Sequence, residues 1–363
     1  MIKIVVVGPT PPPYGGQAIM IQNLKDAKFD NVKLYLVRAS FTKDMNEIGK
    51  FSVAKIFTLF SIIVQIYYVR IKNNAKYLYF GPGGPNLVPM YRDVILLCFT
   101  RWLFKKVIFH FHAGSTYSLY DKIPNWFKYF FRKAYFNADV GIRITEFNPE
   151  DPKCLQAKKE VIIPNGLYDY YKQFDFAKKK KDFVTILFVG NIFKEKGIIE
   201  LTEACNILAK RNVKFRVEVV GRFQSALLES LIIKKLEEYS IRELFSFPGV
   251  IIGREKYKYY YEADIFCLPT YFETFGLVIA EGMQFALPIV STNVGGVPFL
   301  VENNVNGFLV EKKAIEDLAD KLELLINNKE LREEMGRNSR CIFLENFSIT
   351  KFHNKIENVF KQL

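Results

Sequence analysis

The chain holds 363 residues, half of them apolar, with 51 Lys+Arg against 38 Asp+Glu and a formal net charge of +13. That length suits two domains of ordinary size and that apolar content two full cores, which excludes a disordered or fibrous chain. The cysteines at 98, 154, 205, 267 and 341 are odd in number and unpaired in spacing, which excludes a disulfide framework and reads as reduced core thiols in the cytosol.

The first element is an apolar β-run over residues 2–8 with no charged lead or cleavage site before it, so no signal peptide is expected. A proline-stiffened loop, PTPPPYGGQA, follows, and a helix opens near Gln17. The N–H groups at that helix mouth, beside Gly15 and Gly16, suit an anion. The pattern is not GxGxxG, and a plain tight turn explains the two glycines as well. Two strongly apolar runs come next, residues 56–69 (IFTLFSIIVQIYYV) and 94–104 (VILLCFTRWLF). The first is shorter than the ~20 residues that span a bilayer and contains Gln65, and Arg101 interrupts the second, so neither is expected to cross a membrane.

Residues 106–115, KVIFHFHAGS, read as a strand ending in His110 and His112, two of the three histidines and on one side of it, followed by a small-residue turn. A buried structural pair and a polar site are both open readings. With no Cys or carboxylate at ligand spacing nearby, and no Asp-x-Asp in the chain, no metal is expected. Residues 1–181 hold 28 Lys+Arg and 13 Asp+Glu, the remainder 23 and 25, so the first half carries all the basic excess. Such charge beside apolar faces suits an anionic membrane surface, although buried helices under a soluble basic surface explain it equally. Nucleic acid is not expected, because no recognition helix or zinc signature accompanies the charge. Residues 165–182 break the periodicity, with YDYYKQFDFAKKKKD reading as an interdomain linker that ends in a solvated lysine run.

The second half repeats a strand, glycine-turn, helix unit. In residues 185–204, TILFVGNIFKEKGIIELTEA, the strand ends at Gly190, Asn191 follows, and Lys194, Glu195 and Lys196 crowd a helix opening at Gly197. A lysine there is placed for phosphate, or is merely solvated. Another strand ends in VVG at residues 219–221, followed by Arg222 on the ligand-binding side of an open α/β sheet. In residues 268–287, LPTYFETFGLVIAEGMQFAL, Glu273 lies in a loop, the N–H groups of Phe275, Gly276 and Leu277 crowd a helix mouth, and Glu281 sits roughly two turns deep. Carboxylates so placed suit vicinal hydroxyls. An acidic cap beside one solvated glutamate is the other reading.

Together these segments, with IPNG at 163–166 and STNVGGVPFLVENNVNGFLV at 291–310, resemble family 4 of the glycosyltransferases. The resemblance implies an α/β GT-B fold, two Rossmann-like doubly wound parallel-sheet domains facing across a cleft, and a retaining, metal-independent transfer of a hexose-type sugar. It places Glu273 on the sugar hydroxyls, Glu281 on the ribose, Lys196 on the diphosphate, Gly15 and Gly16 near the diphosphate and reacting centre, and His112 on the donor sugar. The donor would be a nucleoside-diphosphate sugar with no further cofactor. The acceptor would be a saccharide or lipid-linked saccharide in cell-surface polysaccharide synthesis, at the cytoplasmic face of the membrane. The family usually has arginine where this chain has Asn191, so Lys194 or Arg222 is expected to substitute. A sugar-nucleotide epimerase of the same fold and a non-catalytic nucleotide-sugar binder are the rival readings. The expected domains are residues 1–166, residues 182–345 and a last helix, residues 346–363, returning to the first domain.

Overall fold

The computed structural model describes residues 1–41, 53–174 and 181–363. The lysine run at 178–180 therefore lies outside the described residues. The chain divides into two units, Met1–Gly166 with Ile349–Leu363, and Leu167–Ser348.

The first unit is built on β1 (Ile2–Gly8), β2 (Val32–Arg38), β3 (Tyr77–Phe80), β4 (Lys106–Phe111), β5 (Val140–Arg143) and β6 (Glu160–Ile162). All pairings are parallel and the spatial order is β2-β1-β3-β4-β5-β6. Helices α1 (Gly16–Asp26), α2 (Val53–Asn73), α3 (Leu87–Thr100), α4 (Asn125–Tyr135) and the short α5 (Asp151–Cys154) connect them. The second unit repeats the scheme with β7 (Val184–Val189), β8 (Phe215–Val220), β9 (Phe245–Gly249), β10 (Ile265–Leu268), β11 (Ile289–Thr292) and β12 (Gly307–Val310), ordered β12-β11-β10-β7-β8-β9. Its helices are α6 (Ile198–Lys210), α7 (Ala226–Glu238), α8 (Gly253–Glu262), α9 (Leu277–Gln284), α10 (Ile315–Asn327) and α11 (Lys329–Ile342), and α12 (Ile349–Lys361) closes the chain. Strands such as Val184–Val189 read as continuous apolar runs because helices cover both faces of a parallel sheet. In each sheet the order reverses beside the first strand, between β1 and β3 and between β7 and β10. Ligands of open α/β sheets bind outside the strands' carboxyl ends at such reversals.

Three sequence expectations change. First, residues 167–174 are no linker but part of the second unit. Tyr170 N–H donates to Gln284 Oε1 at 2.8 Å, Gln284 Nε2 donates to the Tyr168 carbonyl at 2.9 Å, and Arg340 pairs with Asp169 at 2.6 Å. Tyr170 stacks on Tyr257 with centroids 4.4 Å apart, and Phe174 on Tyr261 at 5.3 Å. The aromatics that break the periodicity do so because they strap across α8, α9 and α11. Second, α2 runs 21 residues, longer than the apolar run suggested, and its segment Ala54–Asn73 is long and apolar enough to cross a membrane by length and composition. One stripe, Leu59, Ile62, Ile63 and Ile66, is buried in the core of the first unit, while Phe57, Phe60, Val64, Tyr68 and Ile71 are exposed. Third, the cysteines are free but not uniformly core residues, since Cys205 and Cys267 are buried and Cys154 and Cys341 exposed.

The last helix packs with the first unit. Phe352, 1% exposed, lies against the His110 ring, and His353 Nε2 lies 3.2 Å from the Asn23 carbonyl. Truncating a fully buried phenylalanine leaves a cavity and costs about 3–5 kcal/mol. Phe352→Ala is expected to lower the urea midpoint of the first unit by a corresponding amount. Tryptophan fluorescence follows that unit, because both tryptophans, Trp102 and Trp126, lie within it.

Candidate active site

In the second unit two backbone contacts bring the separate motifs together. Gly197 caps α6 with φ +81, and a Cβ there would stand 2.0 Å from the Pro269 carbonyl oxygen. The Glu195 carbonyl accepts from Tyr271 N–H at 2.7 Å and from Thr270 Oγ1 at 3.2 Å. The loop after β7 is thereby fixed against the loop after β10. Lys196 Nζ then reaches Glu273 Oε2 at 2.5 Å, with both side chains partly open to solvent. Glu273 is held in turn by its carbonyl, which accepts from Gly296 N–H at 2.8 Å.

Gly276 begins α9 at φ +91, a conformation that side chains with a Cβ rarely adopt. The N–H groups of Phe275, Gly276 and Leu277 have no acceptor among the described residues, as expected of a helix mouth. The Phe275 ring is not at that mouth: it is 2% exposed and packs edge-on against Phe347. The helix starts at Leu277, so Glu281 lies little more than one turn deep rather than two, because the turn before Gly276 is not helical. Glu281 is buried and bonded at both oxygens, by Lys256 Nζ at 2.5 Å and Tyr260 OH at 2.7 Å. A carboxylate offers about four lone-pair sites, so acceptor capacity remains for a diol. Burial, with Glu281 beside it, pushes the Tyr260 phenol well above its ordinary value, so it stays a donor.

At the ends of β7 and β8, Ile192 N–H donates to the Arg222 carbonyl at 2.8 Å and Gln224 N–H to the Ile192 carbonyl at 3.0 Å. These bonds place Arg222 one strand over from Asn191. Asn191, Lys194 and Arg222 are exposed, and no bond or ion pair holds their side chains among the described residues.

In the first unit, α1 opens at Gly16 with Gly15 as its cap. Neither glycine is needed for torsion: Gly15 is extended at φ −114, and a Cβ there would meet nothing within 4 Å. What a side chain would take away is open space before the helix mouth. His110 and His112 are both buried, with ring centroids 4.0 Å apart. Tyr79 OH bonds His110 Nδ1, while His110 Nε2, both nitrogens of His112, Thr116 Oγ1 and Asn165 Oδ1 are buried without a partner among the described residues. Buried polar atoms are normally bonded, so this concentration of exceptions marks a place suited to a polar ligand.

Sequence reasoning missed Lys256 and Tyr260, which hold Glu281, and Tyr271, whose hydroxyl bonds Glu200. In GREKYKYYYE the i, i+4 spacing of Lys256 and Tyr260 was visible, but nothing local names a carboxylate on another helix as their partner. It also missed Tyr79, whose bond to His110 follows only from the pairing of β3 with β4.

Residues 170–341 match the family model described as Glycosyl transferases group 1. The capsular polysaccharide biosynthesis glycosyltransferase CapM of Staphylococcus aureus is 29% identical over 209 residues, 57% of this chain and 52% of that protein. An uncharacterized glycosyltransferase of Haemophilus influenzae is 37% identical over 169 residues, 46% of each. The chain thus spans about half the length of these curated relatives. Among solved structures, Anabaena HepE in complex with UDP superposes with a TM-score of 0.73 over 100% of both chains at 15% identity, a likeness of fold. The family match covers residues 170–341, and the likeness to HepE over the full length is one of fold.

Burial lowers both imidazole pKa values. His110 falls well below the usual value, with His112 adding to the effect, and His112 falls to about 4, Asn165 alone pulling it upward. Asn165 acts there by proximity, since its Oδ1 makes no hydrogen bond of good geometry. A histidine with a folded value of about 4 against 6.5 when unfolded gives stability that is complete above 6.5 and lost as pH falls toward 4. The loss is on the order of 3 kcal/mol for His112. Urea titrations between those limits are expected to show it, and His112→Asn to flatten the slope.

Proposed function

We propose that this protein is a retaining family 4 glycosyltransferase moving a hexose-type sugar from a nucleoside-diphosphate sugar to a saccharide or lipid-linked acceptor in cell-surface polysaccharide synthesis. The observation that carries the reading is the Lys196–Glu273 pair at 2.5 Å beside the mouth of α9, with Glu281 one turn further along. One cation, one forward carboxylate, one deeper carboxylate and a row of free N–H groups match the anion and the two diols of a nucleotide sugar. A solvated surface pair would need no such neighbours. The name of the S. aureus relative and the UDP held by HepE support donor class and pathway.

In this reading Lys196 leaves Glu273 for the diphosphate, and the Phe275, Gly276 and Leu277 N–H groups add fixed partial charge. Glu273 then accepts from the sugar hydroxyls and Glu281 from the ribose, its orientation set by Lys256 and Tyr260. Neutral His112 offers one ring N–H and one lone pair to the sugar. Gly15 and Gly16 leave room for the donor before α1. Breaking the anomeric bond puts charge on the departing phosphate, so lysine and helix-mouth donors supply the stabilisation, and neither a resident metal nor a further cofactor is called for. No carboxylate is assigned as nucleophile, which favours attack from the leaving-group side, with the departing β-phosphate taking the acceptor proton. Asn191 favours one rival, a binder without catalysis, because a neutral amide stands where a charged fork would assist departure. Arg222 and Lys194, exposed and without ion pairs among the described residues, are the candidate substitutes.

Screening UDP-, GDP- and ADP-sugars by thermal shift is expected to find one class that stabilises the chain. Glu281→Gln should weaken that binding about tenfold, and Lys196→Ala should lower turnover by roughly 10²–10³, the cost of losing one donor to developing charge. Arg222→Ala should lower turnover as well, and unchanged donor affinity and turnover would remove it as the substitute. Nucleoside diphosphate released only with acceptor present is the result expected of a transferase and not of an epimerase. Binding without turnover on any acceptor would leave the binder.

The location we assign is the cytoplasmic face of a membrane. The exposed row Phe57, Phe60, Val64, Tyr68 and Ile71 on α2, with Trp102 and Trp126 each 69% exposed, lies within the basic half of the chain. Apolar side chains beside basic charge bind anionic bilayers. Flotation is expected to recover the protein with phosphatidylglycerol-containing vesicles at low salt and less at high salt. A protein left unbound at low salt would end this assignment.

A further inference from the structure

The first unit contains a cavity of about 470 Å³ at the carboxyl ends of β1 and β3, walled by α1, α2 and α3. That volume is in the range of small-molecule sites. Its lining includes Gly15 and Gly81, at the mouth of α1. It also includes Ile56 of α2 and Val88 and Ile95 of α3, which are 40%, 41% and 40% exposed.

The wall's polar side chains are largely turned to internal partners. Asp93 accepts from Gly83 N–H at 2.7 Å and from Arg92 at 2.6 and 2.8 Å. Gln17 donates to the Gly81 and Pro82 carbonyls at 2.9 and 3.1 Å, and Ser40 to the Thr10 carbonyl at 3.3 Å. Leu59, Phe80, Pro89 and Leu96 also line it, together with Lys55 and Tyr91. A saccharide there would leave hydroxyl groups without partners, which is costly, whereas a hydrocarbon gains in proportion to the apolar area it buries.

What adjoins the rim names the occupant. The same two helices present Phe57, Phe60 and Phe99, 73%, 58% and 54% exposed. Residues 53–138 carry 12 Lys+Arg and 2 Asp+Glu, one of the two being the bonded Asp93. An apolar channel that opens on an exposed apolar surface, in a strongly basic segment, complements an amphiphile with one hydrocarbon chain and an anionic head. We propose that this cavity holds the hydrocarbon chain of an anionic lipid acceptor, threaded between α2 and α3 with its head toward the mouth of α1. The inference rests on the transferase reading and narrows its acceptor from saccharides in general to lipid-borne ones.

Farnesyl phosphate below its micelle concentration is the probe, titrated calorimetrically into the full chain, with inorganic phosphate and glucose 1-phosphate as tailless controls. Saturable binding of farnesyl phosphate alone is expected. Val88→Trp, which fills the rim, and Ile56→Asp, which places a charge there, should each weaken it about tenfold, or roughly 1.4 kcal/mol. Both positions are substantially exposed, so the fold should tolerate the changes, and the thermal shift given by UDP should stay as in the unaltered chain. No binding of farnesyl phosphate, equal binding in both variants, or displacement by glucose 1-phosphate would each overturn the proposal. UDP and lipid are read separately: an unaltered chain that takes lipid but no nucleotide sugar counts against the transferase function, and one that takes nucleotide sugar but no lipid counts against the cavity's role.

Discussion

Two loops meet in the second unit because Gly197 has no Cβ and the Pro269 carbonyl occupies the space one would take, 2.0 Å away. With the Glu195 carbonyl accepting two bonds from residues 270 and 271, this approach fixes where Lys196 and Glu273 stand. Those residues are 77 apart in sequence, and their 2.5 Å pairing follows from the backbone contact rather than from mutual attraction. A partly exposed ion pair contributes little on its own, on the order of 1 kcal/mol or less. A weak pair on a rigid support is well suited to exchange, since little is lost when an anion draws the lysine away.

The two glutamates of the second unit differ in kind. Glu273 is partly open and holds one exchangeable cation, while Glu281 is buried with Lys256 and Tyr260 fixing both oxygens. Removing one partner of a buried charge is far costlier than breaking an exposed pair. Glu281 is therefore a rigid acceptor and Glu273 an adjustable one. The first unit supplies a third kind of group: histidines kept neutral by burial, with ring nitrogens lacking partners among the described residues.

Much of this was legible in the chain. Parallel strands buried on both faces announce themselves as unbroken apolar runs, so β1, β4 and β7 fell where the residues put them, within a position or two. The segments around Lys196 and Glu273 were recognisable because glycine, charge and helix onset occur within a few residues. The Tyr168–Phe174 stretch was misread because dense aromatics look alike in a solvated linker and in a strap packed on α8 and α9. Glu281 was placed too deep because a non-helical turn before Gly276 leaves no mark in composition. Lys256 and Tyr260 were invisible as site residues because their relevance lies in a helix they touch, not in their own.

The chain leaves the first unit at Gly166 and returns to it at Ile349, after the whole second unit has been traversed. During synthesis on the ribosome, therefore, the wall that Phe352 builds against His110 is missing until α12 emerges. The histidine strand, complete at Phe111, lacks its cover until Phe352 is made, 241 residues later. A chain stopped short of α12 would own Lys196, Glu273 and Glu281 and still present that imidazole without its ring of shelter. The cover of the first unit's histidines is thereby supplied only after the whole second unit has been made.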